Sequence, residues 1–311
     1  MAALTARLNA GVRSDVWPYI VIITGVSFGS LGPLFIRAGH IAGMPTIAIV
    51  AARQVLSCLV LTPIVLCYHR NELTQLSRRN LLFATLAGTV LAVRFYFQFE
   101  AYNNSSVLLT SVFGGSGPLW VALTEVLLLR AIFSRRIWAG IFLSLAGGIL
   151  IAIVGFDGGT SPGNNAILGA ALALTAAFLS AFYLNFGRLA RGQISFLPYL
   201  WLIFTIAAVI SVSVALLADV PLTGYSPDAW LALLGLIITA QIFGHGSMNY
   251  ALKYVPATYV SVISQATSVI GAIAAFFILG EKPGVGQVIG SLIIIIGVTM
   301  VTTGRGNHRS A

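Results

Sequence analysis

The sequence predicts an all-α polytopic membrane protein of ten transmembrane helices, built as two inverted five-helix repeats. Three observations predict it. The 311 residues are 58% hydrophobic and only 8% charged, whereas an ordinary soluble domain carries about 25% charged residues. The apolar residues gather into ten runs long enough to cross a bilayer. Finally, shifting the chain by 150 residues lays it on itself without a gap: Ala101 on Ala251, Ser111-Val112 on Ser261-Val262, Leu129 on Leu279, Gly140 on Gly290 and Gly147 on Gly297. The same register holds further back, placing Leu81, Leu86 and Thr89 on Leu231, Leu236 and Thr239, and Phe28 and Ser30 on Phe178 and Ser180.

About 20 helical residues cross a hydrocarbon core about 30 Å thick. An open sheet edge cannot be satisfied there, so the spans are helices. They are expected at 17–37, 46–68, 80–101, 106–129 and 136–155, then 165–187, 196–218, 228–251, 257–279 and 284–303. The organisation that follows is an N-terminal tail (1–16), a first repeat (17–155), a linker (156–164), a second repeat (165–303) and a C-terminal tail (304–311). The first apolar run lacks a small-residue cleavage site and is expected to be retained. Cys58 and Cys67 share one apolar segment and are expected to be free packing thiols.

Lys and Arg set the orientation. With the N-terminus and every second loop on one side, that side holds thirteen: Arg7, Arg13, Arg70, Arg78, Arg79, Arg130, Arg135, Arg136, Arg188, Arg191, Lys253, Arg305 and Arg309. The other holds Lys282 alone, with Arg37, Arg53 and Arg94 in spans or at their ends. Both termini are therefore expected in the cytoplasm. The net charge of +9 is explained by these loops, so no nucleic-acid partner is implied; the expected partners are the bilayer and a small-molecule substrate, and no obligatory protein partner is inferred.

Five helices per repeat is odd, so the second copy is inverted. Inverted repeats are typical of secondary transporters, whose substrate lies near the midplane where the halves meet. The first span holds Gly25, Gly29, Gly32 and Pro33, and the fourth holds Gly114, Gly115, Ser116, Gly117 and Pro118. Small residues also permit close helix packing. In the fourth span, however, proline frees a backbone carbonyl within the membrane, and Gly114, Gly115, Gly117 and Pro118 are candidates for a hinge or gate.

Ionisable residues inside a span are functional candidates. Arg53 and Arg94 suit either a tether to carbonyls or Glu100, or a cation that receives a substrate carboxylate. Gln98 lies one turn from Arg94. By the repeat, Arg94 maps to Gly244, beside His245, and helical spacing puts Gln241, His245 and Asn249 on one stripe. Ser264, Gln265, Thr267 and Ser268 form a polar patch in the ninth span, while Phe95, Tyr96, Phe97, Trp120, Phe178, Phe182 and Tyr183 supply aromatic surface. Arg94, Gln98, Trp120, Gln241, His245 and Gln265 are the candidate substrate-binding residues, in a cavity expected between spans 1, 3, 4, 6, 8 and 9. Glu125, near a helix end, is explained by pairing or solvation. No metal-ligand spacing, phosphate-binding loop or nucleophile with a neighbouring base appears, so neither a cofactor nor an enzyme is expected.

The segments NYALKYVPATYVSVIS (249–264) and LGEKPGVGQVIGSLIIIIGV (279–298), with AYNNSSVLLTSVFGGSGPLW (101–120) in the first copy, resemble the drug/metabolite transporter superfamily, EamA type. The resemblance spans residues 17–303. Two departures stand out: Arg130-Ala131 replaces the Gly280-Glu281 pair, and Ser268 stands opposite Pro118. The aromatic third span, RFYFQFEAY (94–102), is similar to that of YddG-type amino-acid exporters, which implies export of aromatic and other neutral amino acids from the cytoplasm across a bacterial inner membrane. A carrier for another metabolite or drug, a passive channel and a membrane-embedded enzyme are the alternatives.

Overall fold

The computed structural model describes residues 2–105, 110, 113–154, 165–267, 269–270 and 284–304. Ser111, Val112, Asp157, Ser268, Gly280, Glu281, Lys282, Arg305 and Arg309 lie outside the described residues. Every described span is helical. The first is α1 (Ala2–Gly29) and α2 (Gly32–Ile41), separated at Ser30-Leu31 because Pro33 opens α2 without an N–H to continue the ladder. The helix begins at Ala2, well before the expected start at 17. Pro45 precedes α3 (Thr46–Tyr68), a short α4 (Arg70–Thr74) follows, and Ser77 caps α5 (Arg78–Asn104) by accepting from Asn80 N.

The fourth and fifth spans contain α6 (Gly117–Leu129) and α7 (Arg135–Val154). Asn165 caps α8 (Ala166–Arg191), which leads to α9 (Phe196–Leu217). The eighth span is composite: α10 (Pro227–Leu236), a nine-residue π-helical stretch (Ile237–His245), then α11 (Gly246–Ala251). The ninth and tenth contain α12 (Ala257–Ser264) and α13 (Val285–Thr303). Six stretches are by themselves long and apolar enough to cross a membrane: Val16–Ile41, Thr46–Tyr68, Arg78–Asn104, Ile167–Arg191, Phe196–Leu217 and Pro227–Ala251. Gly117–Leu129 and Val288–Thr303 are shorter apolar helices.

The helix pairs obey the sequence offset. The second span packs on the seventh, the fourth on the ninth and the fifth on the tenth; the first packs on the eighth, mirrored by the third on the sixth. Each is a contact between a helix and its own counterpart, or one of two contacts exchanged by the same pseudo-twofold axis. The seam between α7 and α13 shows this atom by atom. A Cβ on Gly140 would lie 2.7 Å from the Gly297 carbonyl, and one on Gly290 would lie 2.8 Å from the Gly147 carbonyl. Since Gly140 pairs with Gly290 and Gly147 with Gly297 in the repeat, these are one contact made twice. Backbones can approach this closely only where side chains are missing.

The two cysteines are free thiols, and Cys58 Sγ lies 3.1 Å from Thr205 Oγ1 across the contact between α3 and α9.

Candidate substrate cavity

Two adjoining cavities lie where the repeats meet. One, of about 230 Å³, is bordered by the first span (Gly25, Gly29, Pro33), by Arg53, by Arg94, Gln98 and Tyr102 of α5, and by Gly244, His245, Ser264 and Thr267. The other, of about 100 Å³, is bordered by Arg94, Gly114, Gly117, Pro118, Ser180, Tyr183, His245, Ser261 and Gln265. Arg94, His245, Met248 and Ser264 line both. The lining thus draws on spans 1, 3, 4, 6, 8 and 9, together with Arg53 from the second. A larger hollow of about 830 Å³ lies away from this junction, among Glu72, Gln75, Arg79 and Gln193 near the helix ends. Its rim is formed by α4, the start of α5 and the end of α8, with the turns beside them.

Arg94 is half-buried. Its Nε donates to Ser180 Oγ on α8, while its buried Nη1 has no hydrogen-bond partner. Arg53 sits behind it, 1% exposed, with its Cζ 4.1 Å from the Phe95 ring centroid and 5.3 Å from that of Phe99. Arg94 lies over the same Phe95 ring at 5.3 Å, and the two guanidiniums repel each other. Arg53 Nε and Nη2 are also buried without partners. Glu100 is no tether for either arginine: its carboxylate accepts from Asn103 and Asn104 at the end of α5. The aromatic surface partly offsets Arg53, since a cation over a ring gains about 0.5–2 kcal/mol, but it satisfies none of the N–H donors.

His245 meets the edge of Phe95, with ring centroids 4.9 Å apart, and its Nδ1 is buried without a partner. The π-helical stretch explains where Gln241 goes. Bonding from i to i+5 widens the turn, so residues four apart no longer share one stripe. Gln241 is fully buried and donates to Gln54 Oε1 at 3.0 Å, away from both cavities. Asn249 turns towards α8: Tyr183 Oη donates to its Oδ1 at 2.8 Å, and its own Nδ2 donates to the His245 carbonyl at 2.7 Å.

Gln98 stands beside Gly114 on the cavity wall. Gln265 Nε2 reaches the Gly115 carbonyl. Trp120 borders neither cavity: its Nε1 donates to Ser116 Oγ at 3.2 Å, and its ring meets Phe178 edge-on at 5.3 Å. Of the six candidate binding residues, Arg94, Gln98, His245 and Gln265 are therefore brought to the cavities, while Trp120 and Gln241 are not. Gly114, Gly117 and Pro118 line the smaller cavity.

At the end of the bundle that carries the chain termini, the spans are tied together. Glu125 is fully buried; it pairs with Arg188 of α8 and accepts from Thr258 N at 3.1 Å and Thr258 Oγ1 at 2.6 Å. The carboxylate thus sits at the N-terminal end of α12, where a helix dipole favours negative charge. Next to it, Asn185 donates to Thr124 Oγ1 at 2.7 Å, and Arg191 donates to the carbonyls of Asn249 at 3.0 Å and Ile194 at 2.5 Å. Arg188 and Arg191, tallied with the loops in the charge count, are in fact the last turns of α8. Among the described residues, no three His, Cys, Asp or Glu side chains gather as metal ligands would.

The EamA-like transporter family matches residues 16–153 and again residues 167–303. The chain belongs to this family. Two matches in tandem agree with the repeat and with the paired helix contacts. A curated relative from Archaeoglobus fulgidus, described as an uncharacterized transporter, is 29% identical over 221 residues, covering 70% of this chain and 75% of its own length. A solved structure described only as "Crystal structure of protein" shares the fold, with a TM-score of 0.74 at 16% identity over 93% of this chain and 97% of its own. The protein is accordingly a multi-pass membrane transporter with a small-molecule substrate, and not an enzyme.

Proposed function

We propose that this EamA-like transporter exports small carboxylate-bearing metabolites from the bacterial cytoplasm by alternating access. The observation that carries this reading is Arg94, a half-buried guanidinium with a free N–H on the wall of both cavities, between aromatic residues and at the junction of the repeats. A charge in that position is costly unless it has a use, and a guanidinium is suited to a carboxylate. Aromatic and other neutral amino acids, implied by the resemblance of the third span, carry that group together with an apolar body.

With both termini cytoplasmic, as the Lys and Arg asymmetry reads, the ties around Glu125 and Arg191 close the inner side and the cavities belong to an outward-facing state. The break at Gly114–Pro118 then serves as the hinge by which the fourth span moves. Counterflow in sealed proteoliposomes, preloaded in turn with Trp, Phe, Thr, a sugar and a cationic drug, tests the reading. Saturable exchange of carboxylate-bearing compounds alone is the expected result. Exchange confined to the sugar or drug overturns the substrate class, and unsaturable flux overturns the carrier in favour of a channel.

A further inference from the structure

The charge balance of the cavity narrows the substrate further. Two guanidiniums, Arg53 and Arg94, face the same Phe95 ring, and three of their N–H-bearing nitrogens are buried and unpartnered. Among the described residues lining the two cavities there is no Asp or Glu. The three described glutamates are spoken for: Glu72 by Ser195, Glu100 by Asn103 and Asn104, and Glu125 by Arg188 and Thr258. Removing charge from water without a partner costs several kcal/mol per ion, and the rings around Arg53 recover only part of that. The remainder is a standing attraction for negative charge.

A zwitterionic amino acid answers this poorly. Its carboxylate is drawn to Arg94, but its ammonium, two bonds from the carboxyl carbon, then lies in the field of both guanidiniums. The nearby acceptors on the lining are neutral: the amides of Gln98 and Gln265, the hydroxyls of Ser180, Ser261 and Ser264, and the Met248 sulfur.

We propose that the cavity prefers net anions, namely small aromatic or apolar carboxylates without an ammonium group, with Arg94 as the contact and Arg53 as the second charge behind it. This rests on the reading of the cavity as the transport site. Zwitterionic amino acids are then weaker substrates of the same cavity, and cationic amines are excluded.

One skeleton in three charge states tests the proposal: 3-phenyllactate (anion), phenylalanine (zwitterion) and phenylalaninamide (cation). Each is used to compete with the others for counterflow by the wild-type protein, with protein-free liposomes as the control for leak. The expected order is phenyllactate, then phenylalanine, then the amide, with half-maximal concentrations separated by roughly tenfold or more per unit of charge, as expected for unit charges several ångströms apart at intermediate dielectric. Gln98→Glu, which adds a carboxylate to the wall, should erase the preference for phenyllactate. Arg94→Gln should weaken it, and Arg94→Lys should retain it. Equal competition by the three compounds, or a preference for phenylalanine, overturns the charge preference and leaves the transport reading standing. Exchange of none of them by folded, sealed protein overturns the transport reading itself.

Discussion

Gln265 hydrogen-bonds its own counterpart: its Nε2 donates at 2.8 Å to the carbonyl of Gly115, 150 residues earlier and in the same position of the other repeat. The carbonyl is open because the fourth span breaks there. Leu119 N bonds to Ser116 O instead, and Pro118 has no N–H to offer. One side chain thus closes the helix break from across the pseudo-twofold axis. Gln265→Leu keeps the volume and removes the donor. It is expected to lower the counterflow rate several-fold while lowering the melting temperature only slightly, because a single neutral hydrogen bond contributes about 1 kcal/mol. A rate equal to wild type would show that the break works without this bond.

Glu125 ties three spans with one carboxylate. Glu125→Ala leaves Arg188 beside an empty hole, and breaking such a pair costs about 3–5 kcal/mol. The cost falls on the state closed at the terminal end. A single cysteine in place of Ser261, in a background lacking Cys58 and Cys67, should therefore react faster with an impermeant maleimide applied from that side when Glu125 is Ala. Unchanged labelling would mean that the closure is held by packing alone.

Gly147 has no room for a methyl group, since a Cβ there would stand 2.6 Å from a backbone oxygen. Gly147→Ala should destabilise the fold by about 1–3 kcal/mol, visible as a lower melting temperature in detergent. Gly284, where nothing lies within 4 Å of an added Cβ, is the control position: Ala should be tolerated there.

Much of this was legible in the sequence because it depends on spacing. The 150-residue offset located the glycines of the seam and the mate of Gln265, and the glycine–proline cluster marked the break in the fourth span. Partner choice was less legible. Inside a membrane, the lipid-facing and protein-facing sides of a helix are both apolar, so no polar stripe fixes which way Arg53 or Gln241 points. Gln241 was expected on a stripe with His245 by α-helical spacing, and the π-helical stretch removed that rule. Gln54, which takes it up, had no signal beyond being polar in an apolar run. Glu125 illustrates the same limit: pairing was foreseeable, but the convergence of α8 and α12 upon one carboxylate belongs to the tertiary structure.

The seam of Gly140, Gly147, Gly290 and Gly297 also bears on ancestry. A contact that maps onto itself under a two-fold axis needs no second sequence, only a second copy facing the other way. Before its gene doubled, a five-helix chain able to insert in both directions would have met its reversed twin through these same glycines. Fusion would then have fixed the two directions for good, and freed each half to change alone. The arginine at position 94 opposite the glycine at 244 fits such freedom: one half makes a close helix contact there, and the other carries a charge.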